Sequence, residues 1–342
     1  MTSKKIRVLI VDDSIFFRTA LKKHLSSDPA FEVVGTSGNA YDAEKKIADC
    51  NPDVLTLDVE MPGLRGTDFL KKIMPHNPIP IVLVSSLNMS VFEALESGAV
   101  DFVKKPDAEN QGNFDAFCTE LSTKVKIASK AKAKRKIMNS AVSPLSLKRK
   151  LSGEYQMIAI GASTGGTEAI LAVLKHLPKE CPGIVVVQHM PPGFTKMFAD
   201  RMNHLCEIYV SEAQNGDRIQ PGTALIAPGD KHLTVEKDRK GYYVRCAAGE
   251  KVSGHCPSVD VLFHSVAAKV GKGCIGLILT GMGKDGAAGL LKMRQAGAYT
   301  IGQDKDSSVV YGMPKEAYEL KAVTKQVSLN NIPNAIIECL NK

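Results

Sequence analysis

The stretch KIRVLIVDDS, residues 5–14, joins an apolar run rich in β-branched residues to a pair of aspartates. A run that is apolar at almost every position is typical of a parallel strand with helices on both faces. Ligands of such sheets bind beyond the carboxyl ends of the strands. The stretch therefore predicts a buried strand over residues 5–11 and an acidic site where that strand ends.

The same alternation of strand and helix signals continues through the first third of the chain. The sequence predicts helices and strands in turn, namely helices over 14–25 and 39–50 and strands over 31–35, 52–57, 80–84 and 101–103. Strands that alternate with helices in this way predict an α/β fold built on a doubly wound parallel sheet.

Polar residues stand at the ends of four of these strands: Asp12, Asp13, Asp58, Ser85 and Lys105. Clustered carboxylates repel one another and favour a divalent cation, and oxygen ligands that leave room for water and phosphate suit Mg²⁺. A carboxylate beside Mg²⁺ can attack phosphorus and form an aspartyl phosphate. One aspartate at a strand end is more commonly a loop cap, but the five residues together indicate a phosphoryl-transfer site.

A second strand, turn and helix begin at residue 157. The run MIAI (157–160) leads into GASTGG (161–166) and then into a helix with apolar periodicity over 167–177. This turn allows two interpretations, a phosphate cradle at a helix N-terminus or a nucleophile turn, because GASTG fits the pattern G-x-S-x-G. It fits neither the dinucleotide-binding nor the Walker pattern, which disfavours a nucleotide site.

Two further polar residues lie just beyond apolar strands of this half, His189 after 184–187 and Asp285 after 274–279. A serine such as Ser163 is a poor nucleophile without a base, and a histidine can serve as that base near neutral pH. Asp285 would then orient the imidazolium. Glycines around Asp285 would let backbone N–H groups approach an oxyanion.

Other histidines and aspartates compete for these roles. The open alternatives for base and acid are His255, Asp260 and Asp304. The remaining candidates are interpreted as surface or packing histidines, namely His204, His232 and His264. The chain order Ser, His, Asp differs from the order Ser, Asp, His of the α/β-hydrolases, which disfavours that superfamily.

The composition is that of an ordinary globular protein with two domains. The 342 residues are 44% hydrophobic and 23% charged, and no apolar run approaches the roughly 18 residues that span a bilayer. The N-terminal stretch has no cleavable signal, so we expect a cytoplasmic protein that is not inserted in a membrane. Eight scattered cysteines without metal-ligand spacing predict free thiols.

The formal net charge of +8 is accounted for by residues 129–150, which hold eight basic residues and no acidic one. This segment is rich in Ser and Ala, the composition of a solvated linker, and a role in binding an acidic partner is the alternative. Because no helix-turn-helix pattern accompanies it, we do not expect nucleic acid as a partner. We predict domains at 1–125 and 153–342, joined by a basic flexible linker over 126–152.

The first domain resembles the receiver domain of two-component response regulators, which has a flavodoxin-like fold. The matching pieces are VDDS at 11–14, LDVEMPGLRG at 57–66, VSS at 84–86 and KKP at 104–106. The resemblance implies that Asp58 is the phosphoacceptor. It also implies that Asp13 and Asp58 bind Mg²⁺ directly, with Asp12 acting through water and Glu60 through its backbone carbonyl.

The receiver resemblance implies roles for three more residues. Ser85 would be the switch hydroxyl, Lys105 the phosphate-binding lysine and Phe102 the switch aromatic residue. Phosphate would come from the chemotaxis histidine kinase.

Residues 155–340 resemble the catalytic domain of the chemotaxis protein-glutamate methylesterase/glutamine deamidase family, CheB, and we expect this domain to be Rossmann-like. The matching pieces are IGASTGG at 160–166, VVQHMPPGFT at 186–195, IAPGDKHL at 226–233, LTGMGKDGAAGL at 279–290 and QDKDSSVVYGMP at 303–314. The resemblance implies a triad of Ser163, His189 and Asp285. Thr164 would lie beside the nucleophile, and the Met282 backbone N–H would be the oxyanion donor.

The implied reaction is hydrolysis of methyl esters on glutamates of methyl-accepting chemotaxis receptors, with deamidation of specific receptor glutamines by the same chemistry. The esterase would need no cofactor, and Mg²⁺ would serve only the receiver. Phosphorylation would relieve a block that the receiver imposes on the esterase. The alternatives are a non-catalytic response regulator whose second domain is a binding module, and a DNA-binding regulator that uses the basic segment.

Overall fold

The computed structural model describes residues 4–86, 89–106, 112–131 and 155–341. The chain divides into two compact units, one within residues 1–138 and the other within 139–342. The predicted linker over 126–152 lies outside the described residues from position 132 onward, and so does the predicted start of the second domain at 153. The two units are considered one at a time.

In the described part of the first unit, five parallel strands form one sheet: β1 (Ile6–Val11), β2 (Phe31–Ser37), β3 (Val54–Asp58), β4 (Ile81–Ser85) and β5 (Asp101–Lys104). Their spatial order is β2-β1-β3-β4-β5, which is the flavodoxin-like order. The connecting helices are α1 (Ile15–Ser27), α2 (Ala40–Cys50), α3 (Gly66–Ile73), α4 (Ser90–Glu96) and α5 (Gly112–Ala128). Helix α5 therefore continues past residue 125, where the sequence predicts the linker to begin.

Burial and capping explain these elements. Every residue of β3 and β4 is buried, as expected for central strands covered by helices on both faces. Helix α1 begins after Ser14, whose side chain accepts a hydrogen bond from the Phe17 N–H, and Asn39 caps α2 in the same way. The strands therefore end, and the next helices begin, at the edge that carries the predicted acidic site.

In the second unit, a sheet of parallel strands and a separate hairpin are built from these strands: β6 (Met157–Ala162), β7 (Gly183–Gln188), β8 (Tyr209–Glu212), β9 (Thr223–Ile226), β10 (His232–Asp238), β11 (Gly241–Ala247), β12 (Cys274–Ile278), β13 (Tyr299–Gln303) and β14 (Lys325–Val327). The helices are α6 (Gly166–Leu174), α7 (Phe194–Leu205), α8 (Val259–Lys269), α9 (Ala287–Gln295), α10 (Met313–Glu319) and α11 (Ile332–Leu340). The parallel sheet has the order β14-β13-β12-β6-β7-β9-β8, and β10 pairs with β11 antiparallel.

Strands β6 and β12 are neighbours at the point where the strand order reverses. From β6 the chain proceeds to β7 on one side, and from β12 it proceeds to β13 on the other. Open α/β sheets bind ligands in the crevice at such a switch point, beyond the carboxyl ends of the strands. The predicted class of two doubly wound parallel-sheet domains is confirmed.

Two further predictions concern cysteines and membranes. All eight cysteines are free, and burial raises the pKa of Cys181 and of Cys274 to about 12, which makes these two thiols unreactive. None of the helices within the described ranges has both the length and the apolarity that crossing a bilayer requires.

Candidate functional site

The acidic residues of the first unit form one cluster. Asp12 and Asp13 follow β1, Asp58 ends β3, and one oxygen from each carboxylate lies within 4.8 Å of the other two. Lys105, just after β5, places Nζ 2.9 Å from Asp12 Oδ2 and 2.7 Å from Asp58 Oδ2. The Glu60 N–H donates to Asp58 Oδ1 at 3.0 Å. The structure thus brings the strand-end residues Asp12, Asp13, Asp58 and Lys105 together.

Burial dominates the electrostatics of this cluster. It raises the pKa of Asp58 to about 6, although the Lys105 ammonium and the Glu60 N–H act in the opposite direction. Burial alone would lower the pKa of Lys105, but the two carboxylates raise it. Three carboxylates with exposed Asp13 at the rim form an oxygen-only set with access to water, so these residues fit Mg²⁺.

Of the two predicted switch residues, Ser85 lies at the same edge, whereas Phe102 is the second residue of β5. Ser85, the last residue of β4, is fully buried, and its hydroxyl has no hydrogen-bond partner among the described residues. The Lys105 N–H donates to the Ser85 carbonyl at 2.8 Å, so the two residues are adjacent. Phe102 in β5 is buried, and Lys124 Nζ lies 5.1 Å from the centre of its ring. A buried hydroxyl without a partner, at the strand edge that also carries Lys105, is suited to hold a phosphoryl oxygen.

In the second unit the turn after β6 carries Ser163. A Cβ added at Gly161 would lie 2.1 Å from Val259 Cγ1, and one at Gly166 would lie 2.1 Å from Gln188 Oε1. Between them Gly165 has φ +76°, in the left-handed region, and a Cβ there would lie 2.7 Å from Val309 Cβ. This tightly enclosed turn leads from the strand directly into α6 and leaves Ser163 at the sheet edge.

His189 follows β7, and its Nε2 lies 2.8 Å from Asp285 Oδ2. The other ring nitrogen, Nδ1, is buried and has no hydrogen-bond partner in the described residues. The Gln188 side-chain amide donates to the carbonyl oxygens of Ser163, at 3.0 Å, and of His189, at 3.1 Å, which ties the two turns together. Over the described ranges no hydrogen bond joins Ser163 Oγ to the imidazole, and such contacts commonly tighten only when substrate binds.

The N-terminus of α8 holds Asp285. Asp285 Oδ1 accepts hydrogen bonds from Ser258 Oγ at 2.8 Å and from the Asp260 N–H at 3.0 Å, and Oδ2 accepts one from the Val259 N–H at 2.7 Å. Burial alone would raise the pKa of Asp285, but His189 and these backbone N–H groups lower it to about 2. Asp285 is therefore ionised near neutral pH and can only accept from His189 Nε2, which leaves the lone pair of the neutral imidazole on Nδ1.

The loop after β12 faces the serine. The Met282 N–H has no hydrogen-bond partner among the residues described, whereas the neighbouring Gly281 N–H donates to the Val310 carbonyl at 3.0 Å. A Cβ added at Gly281 would lie 2.7 Å from Ser163 Cβ, so the loop lies against the nucleophile turn. A backbone N–H without a partner, in a loop that lies against a serine, can serve as an oxyanion donor.

Buried Thr280 joins that loop to the nucleophile turn. The Ser163 N–H donates to the Thr280 carbonyl at 3.0 Å, and Thr280 Oγ1 lies 3.0 Å from the carbonyl oxygen of Thr164. The Val310 N–H donates to the same hydroxyl at 2.9 Å, and the Thr280 N–H donates to Gln303 Oε1 at 2.8 Å. Thr164 is itself buried beside the nucleophile, as the sequence leads one to expect.

Comparisons with known proteins identify the family of each part of the chain. The family model "CheB methylesterase" matches residues 158–336, and the model "Response regulator receiver domain" matches residues 8–112. A protein-glutamate methylesterase/protein-glutamine glutaminase 2 from Syntrophomonas wolfei is 51% identical over 342 residues, which are 100% of each chain.

The chain belongs to the CheB family. A second family member, the protein-glutamate methylesterase/protein-glutamine glutaminase of Yersinia pestis, is 48% identical and covers 97% of this chain and 96% of its own. The crystal structure of the Thermotoga maritima CheB methylesterase catalytic domain is 38% identical with a TM-score of 0.53, and covers 54% of this chain and 98% of that chain. The family resemblance and the enzyme class predicted from the sequence are confirmed: the chain is a hydrolase with an N-terminal receiver domain.

The alternative candidates for the catalytic base and acid have other contacts in this structure. The His255 ring stacks on that of His189, with centroids 3.7 Å apart and planes at 11°. Asp260 contributes its backbone N–H to Asp285, while its side chain accepts from the Gly289 N–H at 2.7 Å. Asp304 accepts hydrogen bonds from Ser307 within its own loop.

Sequence reasoning missed the support around Asp285 and Ser163 in this CheB chain. Ser258 precedes an apolar helix and has the sequence signal of an N-cap, but no local pattern pairs it with a carboxylate 27 positions later. Thr280 lies inside a quoted motif without any signal of its bonds to residues 164 and 310. These contacts depend on sheet topology, which single-sequence patterns do not contain.

Proposed function

We propose that this chain hydrolyses the γ-methyl esters of glutamates in methyl-accepting chemotaxis receptors and deamidates specific receptor glutamines, with Ser163 as nucleophile. The observation that supports this most directly is the His189–Asp285 hydrogen bond beside the Ser163 turn, at the switch point of the sheet. A nucleophile, a base and an orienting carboxylate are the minimum set for acyl transfer through a serine.

The base in this proposal is His189 Nδ1. Because Nε2–H donates to Asp285, Nδ1 carries the lone pair that removes the proton of the Ser163 hydroxyl. The oxygen of Ser163 attacks the ester carbonyl carbon, and the imidazolium that forms is stabilised by the Asp285 carboxylate. The roles of the two ring nitrogens are thus exchanged relative to the serine-protease template, in which Nδ1 faces the aspartate.

The Met282 N–H stabilises the oxyanion of the tetrahedral intermediate. When the intermediate collapses, the C–O bond to the methoxy group breaks, and the His189 imidazolium donates its proton so that methanol leaves. Water, deprotonated by His189, then attacks the acyl-serine ester and releases glutamate and Ser163. A glutamine follows the same route, with the C–N bond breaking and ammonia leaving, so one site serves both reactions.

Phosphorylation of the receiver domain would regulate the esterase. The Asp58 carboxylate would attack the phosphorus of the phosphohistidine of the chemotaxis histidine kinase, and the histidine nitrogen would leave as the P–N bond breaks. Asp13, Asp58, the Glu60 carbonyl and, through water, Asp12 would hold Mg²⁺, which offsets phosphoryl charge. Ser85 and Lys105 would bind the phosphoryl oxygens, and this rearrangement, with Phe102, would raise the activity of the esterase. The esterase site itself would need no cofactor.

The partners follow from this proposal. The substrate is the receptor and the phosphodonor is the kinase, both of which would meet this protein in the cytoplasm, without nucleic acid and without insertion in the membrane. The predicted linker over 126–152 would join the two domains.

Methanol release from receptor membranes that carry labelled methyl esters tests the proposal. Wild-type protein is expected to release methanol, and Ser163→Ala to release none above the background of the membranes. The circular dichroism spectrum serves as the control for folding, and the kinase-dependent phosphorylation of Asp58 shows that the receiver is intact; both should be unchanged in the variant. Turnover by Ser163→Ala would contradict the serine mechanism, and absence of turnover by wild type would favour a binding module.

A further inference from the structure

Residues 250–260, here called the 250–260 segment, surround the His189–Asp285 pair. The His255 ring stacks on the His189 ring, and Ser258 Oγ donates to Asp285 Oδ1. Farther along, two backbone N–H groups of the segment also donate to the Asp285 carboxylate. The position of this segment therefore sets both the plane of the imidazole and the hydrogen bonds of the carboxylate.

His232, the first residue of β10, holds the segment at two points. Its Nε2 lies 2.8 Å from the carbonyl oxygen of Glu250, and the Ser258 N–H donates to its Nδ1 at 3.2 Å. The side chain is buried, and a Cβ added at Gly249 would lie only 2.8 Å from its Cδ2. The imidazole is thus packed between the start of the segment and the residue that caps α8.

These two partners fix the proton of His232. A backbone N–H can donate only to a nitrogen that carries a lone pair, so Nδ1 is unprotonated. A carbonyl oxygen can only accept, so Nε2 carries the hydrogen. His232 is consequently a neutral bridge with one acceptor and one donor, each with a defined partner.

We infer that His232 is a positioning residue for hydrolysis, which acts on the His189–Asp285 pair through Ser258. The inference rests on the proposed function of that pair. His232 bonds Glu250 and Ser258 and makes no hydrogen bond to Ser163 or Met282 in the described structure. Loss of the bond to the Ser258 N–H would free the cap residue and weaken one hydrogen bond to Asp285. This change alters the chemical step and leaves substrate binding unchanged.

Two amide variants separate the two bonds of His232. In His232→Asn, the amide oxygen lies near the position of Nδ1 and can accept from the Ser258 N–H. In His232→Gln, the amide nitrogen lies near the position of Nε2 and can donate to Glu250, while the bond to Ser258 is lost. The matched control is His204→Gln, which makes the same substitution at an exposed histidine outside this network.

The probe is a synthetic peptide with a glutamate γ-methyl ester, and full-length protein is assayed for kcat, KM and the pH dependence of kcat/KM. We expect His232→Gln to lower kcat roughly ten-fold, the scale of one lost hydrogen bond, with KM within about two-fold. Asp285 with fewer hydrogen bonds holds the His189 imidazolium more tightly, so the acid limb of kcat/KM should move to higher pH. His232→Asn should retain most of the wild-type kcat, and the acid limb of its kcat/KM should lie at the wild-type pH.

Several results would overturn the inference. One is a kcat of His232→Gln equal to that of His204→Gln. Another is a His232→Gln protein that has a lower melting temperature and lower activity but an unchanged acid limb of kcat/KM. Recovery by Gln but not by Asn would assign the effect to the Glu250 bond and contradict the route through Ser258. The activity of Ser163→Ala tests the proposed function separately. If that variant is active, the serine mechanism is wrong, whatever the result for the His232 variants.

Discussion

Asp58 and Asp285 are both buried carboxylates at the carboxyl edge of a parallel sheet, yet their pKa values are shifted in opposite directions. Burial raises the pKa of Asp58 to about 6, and the nearby Asp12 carboxylate adds to the rise. The pKa of Asp285, which burial alone would raise, is lowered to about 2 by His189 and the backbone N–H groups of α8. The comparison shows that burial alone does not set the pKa of a carboxylate at such an edge: it prevails at Asp58, whereas the hydrogen-bond donors around Asp285 outweigh it.

The two environments suit different chemistry. Asp58 has an ammonium, one backbone N–H and acidic neighbours, so its cluster gains from a cation and its oxygen keeps a lone pair for attack on phosphorus. The hydrogen bonds to Asp285 stabilise its ionised form, which suits it to orient an imidazole. The following experiments test this contrast.

Replacement of each aspartate by asparagine should impair a different activity of the protein. The larger effect is expected at Asp285, on ester hydrolysis. An asparagine there can turn an amide N–H toward His189 Nε2, which favours the tautomer with the proton on Nδ1 and removes the base. We expect Asp285→Asn to lower kcat for methyl ester hydrolysis by about 10³-fold or more. Phosphorylation of Asp58 from a small phosphodonor should be unchanged, and a variant with near-normal kcat would show that the carboxylate does not orient the base.

Thr280 tests whether the triad is sufficient without the oxyanion loop. Thr280→Val keeps the shape of the side chain but leaves the Val310 N–H unpaired, so the loop that carries Met282 should shift. We expect kcat to fall by about 10²-fold, the effect of losing one oxyanion donor, with little change in KM. Thr280→Ser, which retains the hydroxyl, should stay close to wild type. Equal kinetics for the Val and Ser variants would show that the hydroxyl is not needed.

Asp58→Asn should leave the basal esterase rate intact and remove its control. With a small phosphodonor and Mg²⁺, wild-type protein should be activated by about ten-fold, a common size for coupling between two sites. The variant should take up no acid-labile phosphate and should show the same rate with and without the donor. Initial rates of methanol release from receptor membranes provide the measurement, and activation of the variant would mean that another residue accepts phosphate.

The smallest expected effect is on acid stability. The pKa of Asp285 in the folded protein, about 2, lies below its ordinary value of 3.8, so its ionised form stabilises the fold above about pH 4. This contribution is lost as the pH falls toward 2. The difference in unfolding free energy between wild type and Asp285→Asn should therefore shrink by about 1 kcal/mol between about pH 5.5 and about pH 3. Urea unfolding followed by circular dichroism measures it, and a constant difference would contradict the low pKa.

The sequence predicted the parts of this structure that are encoded locally. Apolar runs before Asp12, before Asp58 and over 157–160 predict strands, and the structure has β1, β3 and β6 at these places. Parallel strands align their carboxyl ends, so side chains distant in sequence could be expected at one edge. The predicted roles of the site residues await the experiments above.

What the sequence did not predict depends on contacts between distant elements. The sequence alone indicates a surface or packing role for His232, and no local pattern points to its partners. Its bonds to residues 250 and 258 arise only when the hairpin and α8 are packed. The opposed pKa shifts of Asp58 and Asp285 are equally invisible in the sequence, since they depend on which N–H groups the fold aims at each carboxylate.

The enclosed turn around Ser163 limits how this enzyme can evolve. A side chain at Gly161 would collide with Val259, one at Gly165 with Val309 and one at Gly166 with Gln188, and these three neighbours belong to different elements. A single substitution in the turn is therefore damaging unless a distant position changes at the same time. Neutral substitutions should therefore accumulate outside this turn. Laboratory libraries that seek new ester substrates should randomise the surrounding loops and keep these glycines.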